Sequence, residues 1–232
     1  MNILLTGASR GIGKAAADAL TAAGHTVIGT STKGGDGRIA ADFADPAAAA
    51  ACWAEALARA GRIDALVNNA GVYEAVAEAA PEAEWKASWA RTMQINLQAA
   101  ADLCRLAVAH FQANGGGRIV NVASRAGYRG DSPQHWHYAA SKAALIAVTK
   151  TIARGHAGEN ILAFGVAPGF TVTEMTEEYL ASRGGEKVLA EIPLGRVASA
   201  AEIGEIIRWL ATDAPPSATG SVIDANGASY VR

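Results

Sequence analysis

Tyr138 and Lys142 stand four residues apart in the run Trp136-His137-Tyr138-Ala139-Ala140-Ser141-Lys142, so a helix places them on one face. A free tyrosine titrates near 10, too high for ready proton exchange at neutral pH, and a neighbouring ammonium favours the tyrosinate. A depression of about three units corresponds to roughly 4 kcal/mol of differential interaction. Tyr138 so placed is a general acid in one direction of a reaction and a general base in the other. Ser124, upstream of it, offers a hydroxyl to an oxygen on which charge develops; its bland role is to cap a strand end. Tyr-x-x-x-Lys alone is a weak signal, because chance produces it freely.

A second cluster is Thr6-Gly7-Ala8-Ser9-Arg10-Gly11-Ile12-Gly13. Glycines at 7, 11 and 13 permit a tight turn and let backbone amides approach a pyrophosphate. A helix N-terminus behind them adds partial positive charge. A glycine cluster can also be an ordinary loop, so its place in the chain decides.

That place is between a strand and a helix. Short apolar runs predict strands at Ile3–Leu5, Thr26–Thr30, Arg38–Ala41, Ala65–Asn68, Arg118–Val122, Ile161–Val166 and Val222–Ile223. Several are continuously apolar, as in a parallel sheet buried on both faces. Helical patterns fill Gly11–Ala23, Pro46–Ala60, Trp89–Ala113, Tyr138–Arg154 and Ala200–Thr212, with Asp45 and Ser199 as N-cap chemistry for two of them. The alternation predicts one doubly wound α/β domain over residues 1–232. Only Ser31–Gly37 separate the second and third strands. Seven residues reach about 23 Å when extended, so an extended glycine-rich loop is expected where a crossover helix usually sits.

In this setting Thr6–Gly13, spaced G-x-x-x-G-x-G, resembles the cofactor loop of the short-chain dehydrogenase/reductase family. The resemblance runs over nearly the whole chain. Asn68-Asn69-Ala70-Gly71 matches an NNAG segment after the fourth strand, and Asn96 falls at the family's helix asparagine. Ser124 ends the fifth strand, Tyr138 and Lys142 form Tyr-x-x-x-Lys, and Pro168-Gly169 follows the sixth strand. Ligands of open α/β sheets lie at the carboxyl ends of the strands, where these residues fall. The resemblance implies a Rossmann fold of about seven parallel strands. It also implies an NAD(P)(H)-dependent oxidoreductase moving hydride between nicotinamide and a carbonyl or secondary alcohol, most like 3-oxoacyl-carrier-protein reductases. Catalysis would fall to Asn96, Ser124, Tyr138 and Lys142, with Asn96 holding a water that links Lys142 to solvent; a kink in its helix is the bland role for Asn96. Cofactor contacts would come from Gly7, Ser9, Arg10, Gly11, Ile12 and Gly13, from Asp42 and Phe43 at the adenine, and from Asn68, Ala70 and Gly71. Lys142 would hold the nicotinamide ribose, Tyr138, Pro168 and Gly169 would also touch the cofactor, and Thr171 and Thr173, in the run past Pro168-Gly169, would meet the carboxamide. Thr176–Arg196 resembles the family's substrate lid, with Gly184-Gly185 as its hinge.

NADP is expected over NAD. The second strand ends Gly29-Thr30-Ser31-Thr32-Lys33, without the acid that binds a ribose 2′-hydroxyl. Arg10 and Lys33 are the cations that would pair with a 2′-phosphate, although both also suit a solvated surface. Asp42 could equally cap the turn that follows it.

Composition bounds the remainder. Half of the 232 residues are hydrophobic and the net charge is −2, which gives no reason to expect nucleic acid or an acidic membrane as a partner. No apolar run is long enough for a membrane span, and Met1–Leu5 is too short for a signal peptide. Cys52 and Cys104 lack metal-ligand spacing and read as idle thiols in a reducing cytoplasm, and no metal site is expected. Tyr128, His135, Trp136 and His137 crowd the segment before Tyr138; they suit either a pocket for a flat or apolar substrate or a Trp136 packed between subunits with both histidines facing water. The Ala- and Leu-rich helices Trp89–Ala113 and Tyr138–Arg154 predict a homotetramer, with a dimer as second choice. The alternative to a reductase is a non-catalytic, nucleotide-binding regulatory Rossmann protein.

Overall fold

The structure is a computed structural model, and it describes residues 1–172 and 183–232. In chain order its strands are β1 (Asn2–Leu5), β2 (Thr26–Ser31), β3 (Ile39–Ala40), β4 (Ala65–Asn68), β5 (Gly117–Val122), β6 (Ile161–Pro168), β7 (Thr171–Val172), β8 (Ala198–Ser199) and β9 (Val222–Ala225). The α-helices are α1 (Gly11–Ala22), α2 (Ala48–Ala60), α3 (Glu82–Met93), α4 (Ala99–Ala113), α5 (Ala126–Arg129), α6 (Trp136–His156), α7 (Arg183–Ala190) and α8 (Ala200–Thr212).

Seven strands form one sheet in the order β3-β2-β1-β4-β5-β6-β9, and every pairing in it is parallel. The apolar runs explain the placement. β4 is buried along its length, as are all eight residues of β6. One face of the sheet packs on Ala16 and Leu20 of α1 and Ile203, Ile207 and Leu210 of α8. The other packs on Cys52, Trp53 and Ala56 of α2 and Leu103, Ala107 and Phe111 of α4. This is the doubly wound Rossmann arrangement, and its order reverses between β1 and β4, where such folds bind ligands.

Four expectations need correction. The link from β2 to β3 contains no helix, yet it is curled rather than extended: Gly34, Gly35 and Gly37 have φ of +69°, +87° and +77°, and the Arg38 amide donates to the Gly35 carbonyl at 2.9 Å. β3 pairs only with Thr30 and Ser31 at the end of β2, so the chain need not run back along the strand. α2 starts at Ala48, not Pro46, because Asp45 spends its carboxylate on the Ala47 amide in a preceding turn. The helix expected from Trp89 begins instead at Glu82, behind Pro81. It also passes through a π-helical turn, Gln94–Gln98, before α4. Ser199, by contrast, caps α8 in a full capping box with Glu202. Among the described residues no helix is long and apolar enough to cross a membrane.

Candidate active site

The phosphate end is built from the glycine loop. Its turn is tied to β2 by the Gly7 amide on Thr30 Oγ1 (3.2 Å) and the Ala8 amide on the Thr30 carbonyl (2.8 Å). α1 then begins with no side-chain cap and no acid in its first turn, which leaves its first amides free for an anion. Gly13 is forced by close approach: a Cβ there would lie 2.0 Å from the Gly7 carbonyl oxygen. Ser9 and Arg10 are exposed beside this turn, and Ile12 packs inward.

The NNAG segment braces the loop. Asn69, not singled out from the sequence, donates through Nδ2 to the carbonyls of Thr6 (3.0 Å) and Gly7 (3.1 Å). Thr6 Oγ1 in return accepts from the Asn69 and Ala70 amides at 2.9 and 3.0 Å. Asn68 is buried, and its Oδ1 has no partner; a narrow cleft lined by Thr6, Phe43, Asn68, Ala70 and Ile95 lies against it. Phe43 is buried in the core, while Asp42 is exposed and accepts the Ala44 amide at 3.1 Å, its turn-capping role. Gly71 stands where a side chain would crowd the reacting end: a Cβ would come within 3.3 Å of Asn96 Oδ1 and 3.5 Å of Lys142 Nζ. An uncapped helix start, a glycine cradle and an orphaned buried acceptor together fit a dinucleotide.

The catalytic candidates converge on the other side of Gly71. Asn96 sits in the π-helical turn, a feature frequent at functional sites, and is almost wholly buried. Its Nδ2 donates to the Val72 carbonyl (2.9 Å) and its Oδ1 accepts the Val72 amide (2.8 Å). Ser124 Oγ accepts the Ala126 amide at 3.1 Å, which leaves its hydroxyl hydrogen to donate elsewhere. It also lies against Tyr138, whose phenol its hydrogen bond stabilises in the charged form. Lys142 is buried and donates from Nζ to the Val122 carbonyl at 2.9 Å.

The proton affinities differ from the expectation. Burial pushes the Tyr138 phenol up to about 12, with Ser124 pulling against it, and burial brings Lys142 down to about 8. Lys142 does not depress Tyr138 here, because its ammonium lies 5.8 Å from the centre of the ring and bonds to a backbone carbonyl.

Other expected residues divide. Pro168 ends β6 beside the site and Gly169 and Thr171 follow it, with the Gly169 amide on the Ala225 carbonyl (3.0 Å) and Thr171 Oγ1 on the Gly169 carbonyl (3.3 Å). Thr173 and the first part of the expected lid, 176–182, lie outside the described residues. Gly184 and Gly185 are within α7, and beyond it the Leu194 amide is docked on the Gly227 carbonyl. Of the aromatic cluster only His135 reaches the site. It stacks on Tyr73 (3.9 Å, 2°), whose ring meets Tyr138 edge-on at 4.7 Å. Trp136 packs on Trp85, His137 on Trp89, and Tyr128 on Tyr230.

At the ribose end, Lys33 is exposed in the curled loop. A cation that sequence reasoning missed is better placed. The Arg38 stem covers Gly29 opposite the Ala8 methyl, since a Cβ on Gly29 would lie 2.8 Å from Ala8 Cβ and 3.4 Å from Arg38 Cγ. Its Nε is buried without a partner, and its Nη2 reaches Asp36 at 2.5 Å. Nothing local in Gly37-Arg38-Ile39 marks this; only the curl of the loop turns Arg38 toward the glycine turn.

A family model of short chain dehydrogenases matches residues 1–184. The chain belongs to that family. This short-chain dehydrogenase is similar to the 3-oxoacyl-[acyl-carrier-protein] reductase of Escherichia coli (strain K12), with 34% identity over 241 residues, 98% of this chain and 96% of the relative. It is 37% identical over 243 residues to the corresponding reductase of Synechocystis sp., covering 97% and 94% of the two chains. Among solved structures, a protein from Agrobacterium tumefaciens provisionally named 2-deoxy-d-gluconate 3-dehydrogenase, with bound NADP, superposes with a TM-score of 0.87. It has 27% identity and covers 100% of this chain and 96% of that one. A protein from Beutenbergia cavernae provisionally named NAD(P)-dependent gluconate 5-dehydrogenase, with NADP at low occupancy, gives 0.86 at 33% identity, covering 97% and 95%. The dehydrogenase is thus an NAD(P)-dependent oxidoreductase acting on CH–OH or C=O groups.

Proposed function

We propose that this dehydrogenase reduces a small-molecule carbonyl with NADPH, with Tyr138 as the proton donor. The observation that carries the reading is the meeting of Ser124, Tyr138 and Lys142 at the strand ends beyond Gly71. When bound, the nicotinamide supplies the hydride. Ser124, its oxygen engaged by the Ala126 amide, turns its hydroxyl hydrogen from Tyr138 to the carbonyl oxygen as negative charge grows there. Tyr138, held protonated by its burial, gives its proton to the same oxygen. Lys142 is still an ammonium at neutral pH; its Nζ is held on the Val122 carbonyl next to Gly71, where it would hold the nicotinamide ribose. Asn96 fixes Val72, and hence Gly71, against this group. Gly7, Ser9, Gly11, Ile12 and Gly13 would hold the pyrophosphate, and Asp42, Phe43, Asn68 and Ala70 the adenosine.

NADP is favoured over NAD because Arg38 and Arg10 flank the glycine turn, with Lys33 weaker in its exposed loop. The two NADP-bound neighbours support this choice. Reduction of 3-oxoacyl thioesters on a carrier protein is the second reading, favoured by the identity to the two reductases. A homotetramer in the cytoplasm completes the proposal, consistent with two buried free thiols. The test is NADPH and NADH oxidation against ketones and 3-oxoacyl thioesters; no turnover and no coenzyme binding would leave only the regulatory alternative.

A further inference from the structure

Ser124 is followed by an arginine whose charge the proposed mechanism does not use. Arg125 is 6% exposed, and its Nη1 is buried without a hydrogen-bond partner. No hydrogen bond or ion pair joins its side chain to another described residue. Burying a guanidinium in this state is costly, so its retention calls for an anion.

The position of the group says where that anion sits. The Arg125 amide donates to the Pro168 carbonyl at 3.0 Å, which holds the residue across the gap between the ends of β5 and β6. Its guanidinium lies 4.9 Å from the centre of the Phe170 ring, two residues past Pro168. On its other side it is within electrostatic reach of Tyr73 and Asp131, which are hydrogen-bonded to each other at 3.3 Å. Tyr73 is also the ring that meets Tyr138 edge-on. Arg125 therefore occupies the wall between the proton donor and Phe170, one residue from the hydroxyl that receives the substrate oxygen. Arg129 and Glu191, the other charges within its field, are paired with each other at 3.2 Å, so neither satisfies it.

We infer that Arg125 is a specificity-determining residue that binds a carboxylate carried by the substrate close to its carbonyl, so that the enzyme acts on keto acids and hydroxy acids. The inference rests on the proposed reductase site and names its substrate class. A guanidinium takes a carboxylate with paired hydrogen bonds. A carboxylate is favoured over a phosphate, because Asp131 already lies within the field of Arg125 and Arg129 is committed to Glu191, which leaves no surplus positive charge there among the described residues for a dianion. A thioester or neutral ketone would leave Nη1 unsatisfied in the complex.

The probes are acetoacetate, its neutral methyl ester and dihydroxyacetone phosphate, assayed with NADPH on the wild type, Arg125→Gln and Arg125→Lys. The wild type is expected to favour acetoacetate over the ester by tenfold or more in kcat/KM. Hydrogen bonds to a charged group of this kind are worth about tenfold to hundredfold, so Arg125→Gln should collapse that preference by such a factor through KM, and Arg125→Lys should restore part of it. Malonate, a non-reacting dicarboxylate, should raise the Tm of the wild type and not that of Arg125→Gln, which keeps the inference testable if none of the three ketones is turned over. Equal use of acid and ester, equal losses on both in Arg125→Gln, or an equal malonate response would overturn it, and a preference for the phosphate would replace the carboxylate. Coenzyme binding separates the two readings: NADPH bound without any effect of Arg125 defeats only this inference, whereas absence of both coenzyme binding and turnover defeats the reductase reading itself.

Discussion

Lys142 Nζ donates to the carbonyl of Val122 at 2.9 Å while lying 5.8 Å from the centre of the Tyr138 ring. The ammonium is thus anchored to the end of β5 and not to the phenol it is expected to assist. Tyr138 remains the better-placed acid, with its proton held by burial and its oxygen against Ser124. Tyr138→Phe is expected to lower kcat by about 10²–10⁴ while changing the NADPH dissociation constant less than about threefold. Steady-state kinetics paired with fluorescence titration measures both, and retention of a tenth of wild-type kcat would remove Tyr138 from its role.

The low affinity of Lys142 for its proton has a consequence for stability. The native state releases this proton near pH 8, the unfolded chain near 10.5. Between those values the unfolded state binds more protons, so this residue makes stability rise with pH across that window and contributes no slope below it. Tyr138 acts in the opposite sense between 10 and about 12, where the native state keeps the extra proton. Chemical denaturation of wild type and Lys142→Met from pH 7 to 10 should show the wild type gaining on the variant above pH 8. A constant difference over the whole range would contradict the depressed affinity.

The coenzyme preference should follow the arginines that flank the glycine turn. Arg10→Ala and Arg38→Ala are each expected to weaken NADPH binding about tenfold or more, since a charged hydrogen bond contributes roughly 1.5–3 kcal/mol. NADH, which lacks the 2′-phosphate, should bind both variants nearly as before, and the preference for NADPH should shrink as salt rises. Lys33→Ala should do less, from its exposed loop. Equal losses for both coenzymes would mean that the arginines only support the loop.

Gly13→Ala tests the cradle by steric means. Its methyl would lie 2.0 Å from the Gly7 carbonyl oxygen, so loop and helix must separate, at a cost of about 1–3 kcal/mol by the general experience of overpacked sites. Thermal unfolding should show the loss, with weaker binding of both coenzymes together. An unchanged Tm would place the start of α1 farther from the loop.

The assembly is open to a direct measurement. Light scattering at micromolar concentration is expected to return four times the 23.7 kDa chain mass, or twice it for the second-choice dimer. A monomer would exclude both.

Much of this was legible in the sequence for reasons that can be named. The four-residue spacing of Tyr138 and Lys142 survives because α6 is regular through both, and Ser199 announces α8 because its partner Glu202 is three residues on. β1, β4 and β6 are readable as buried apolar runs. α3 was not, since only Thr92 of its twelve residues is buried and there is little stripe to detect. Arg38, Asn69, Tyr73 and Arg125 acquire their parts from tertiary contacts. Each is an ordinary loop residue until a turn or a neighbouring strand end gives it a direction. The pKa of Tyr138 likewise depends on a depth of burial and a lysine geometry that spacing does not encode.

The few residues after β4 are held from both ends, with Asn69 clasping the glycine turn through Thr6 and Gly7 and Val72 clasped by Asn96. Only Ala70 and Gly71 lie between these anchors. The segment behaves as a strut of set length between the coenzyme cradle and the proton-transfer group. One residue more or fewer in it would sacrifice one clasp or the other, so the length of this stretch is as constrained as the Asn69 side chain that makes one clasp and the bare Gly71 beside the other.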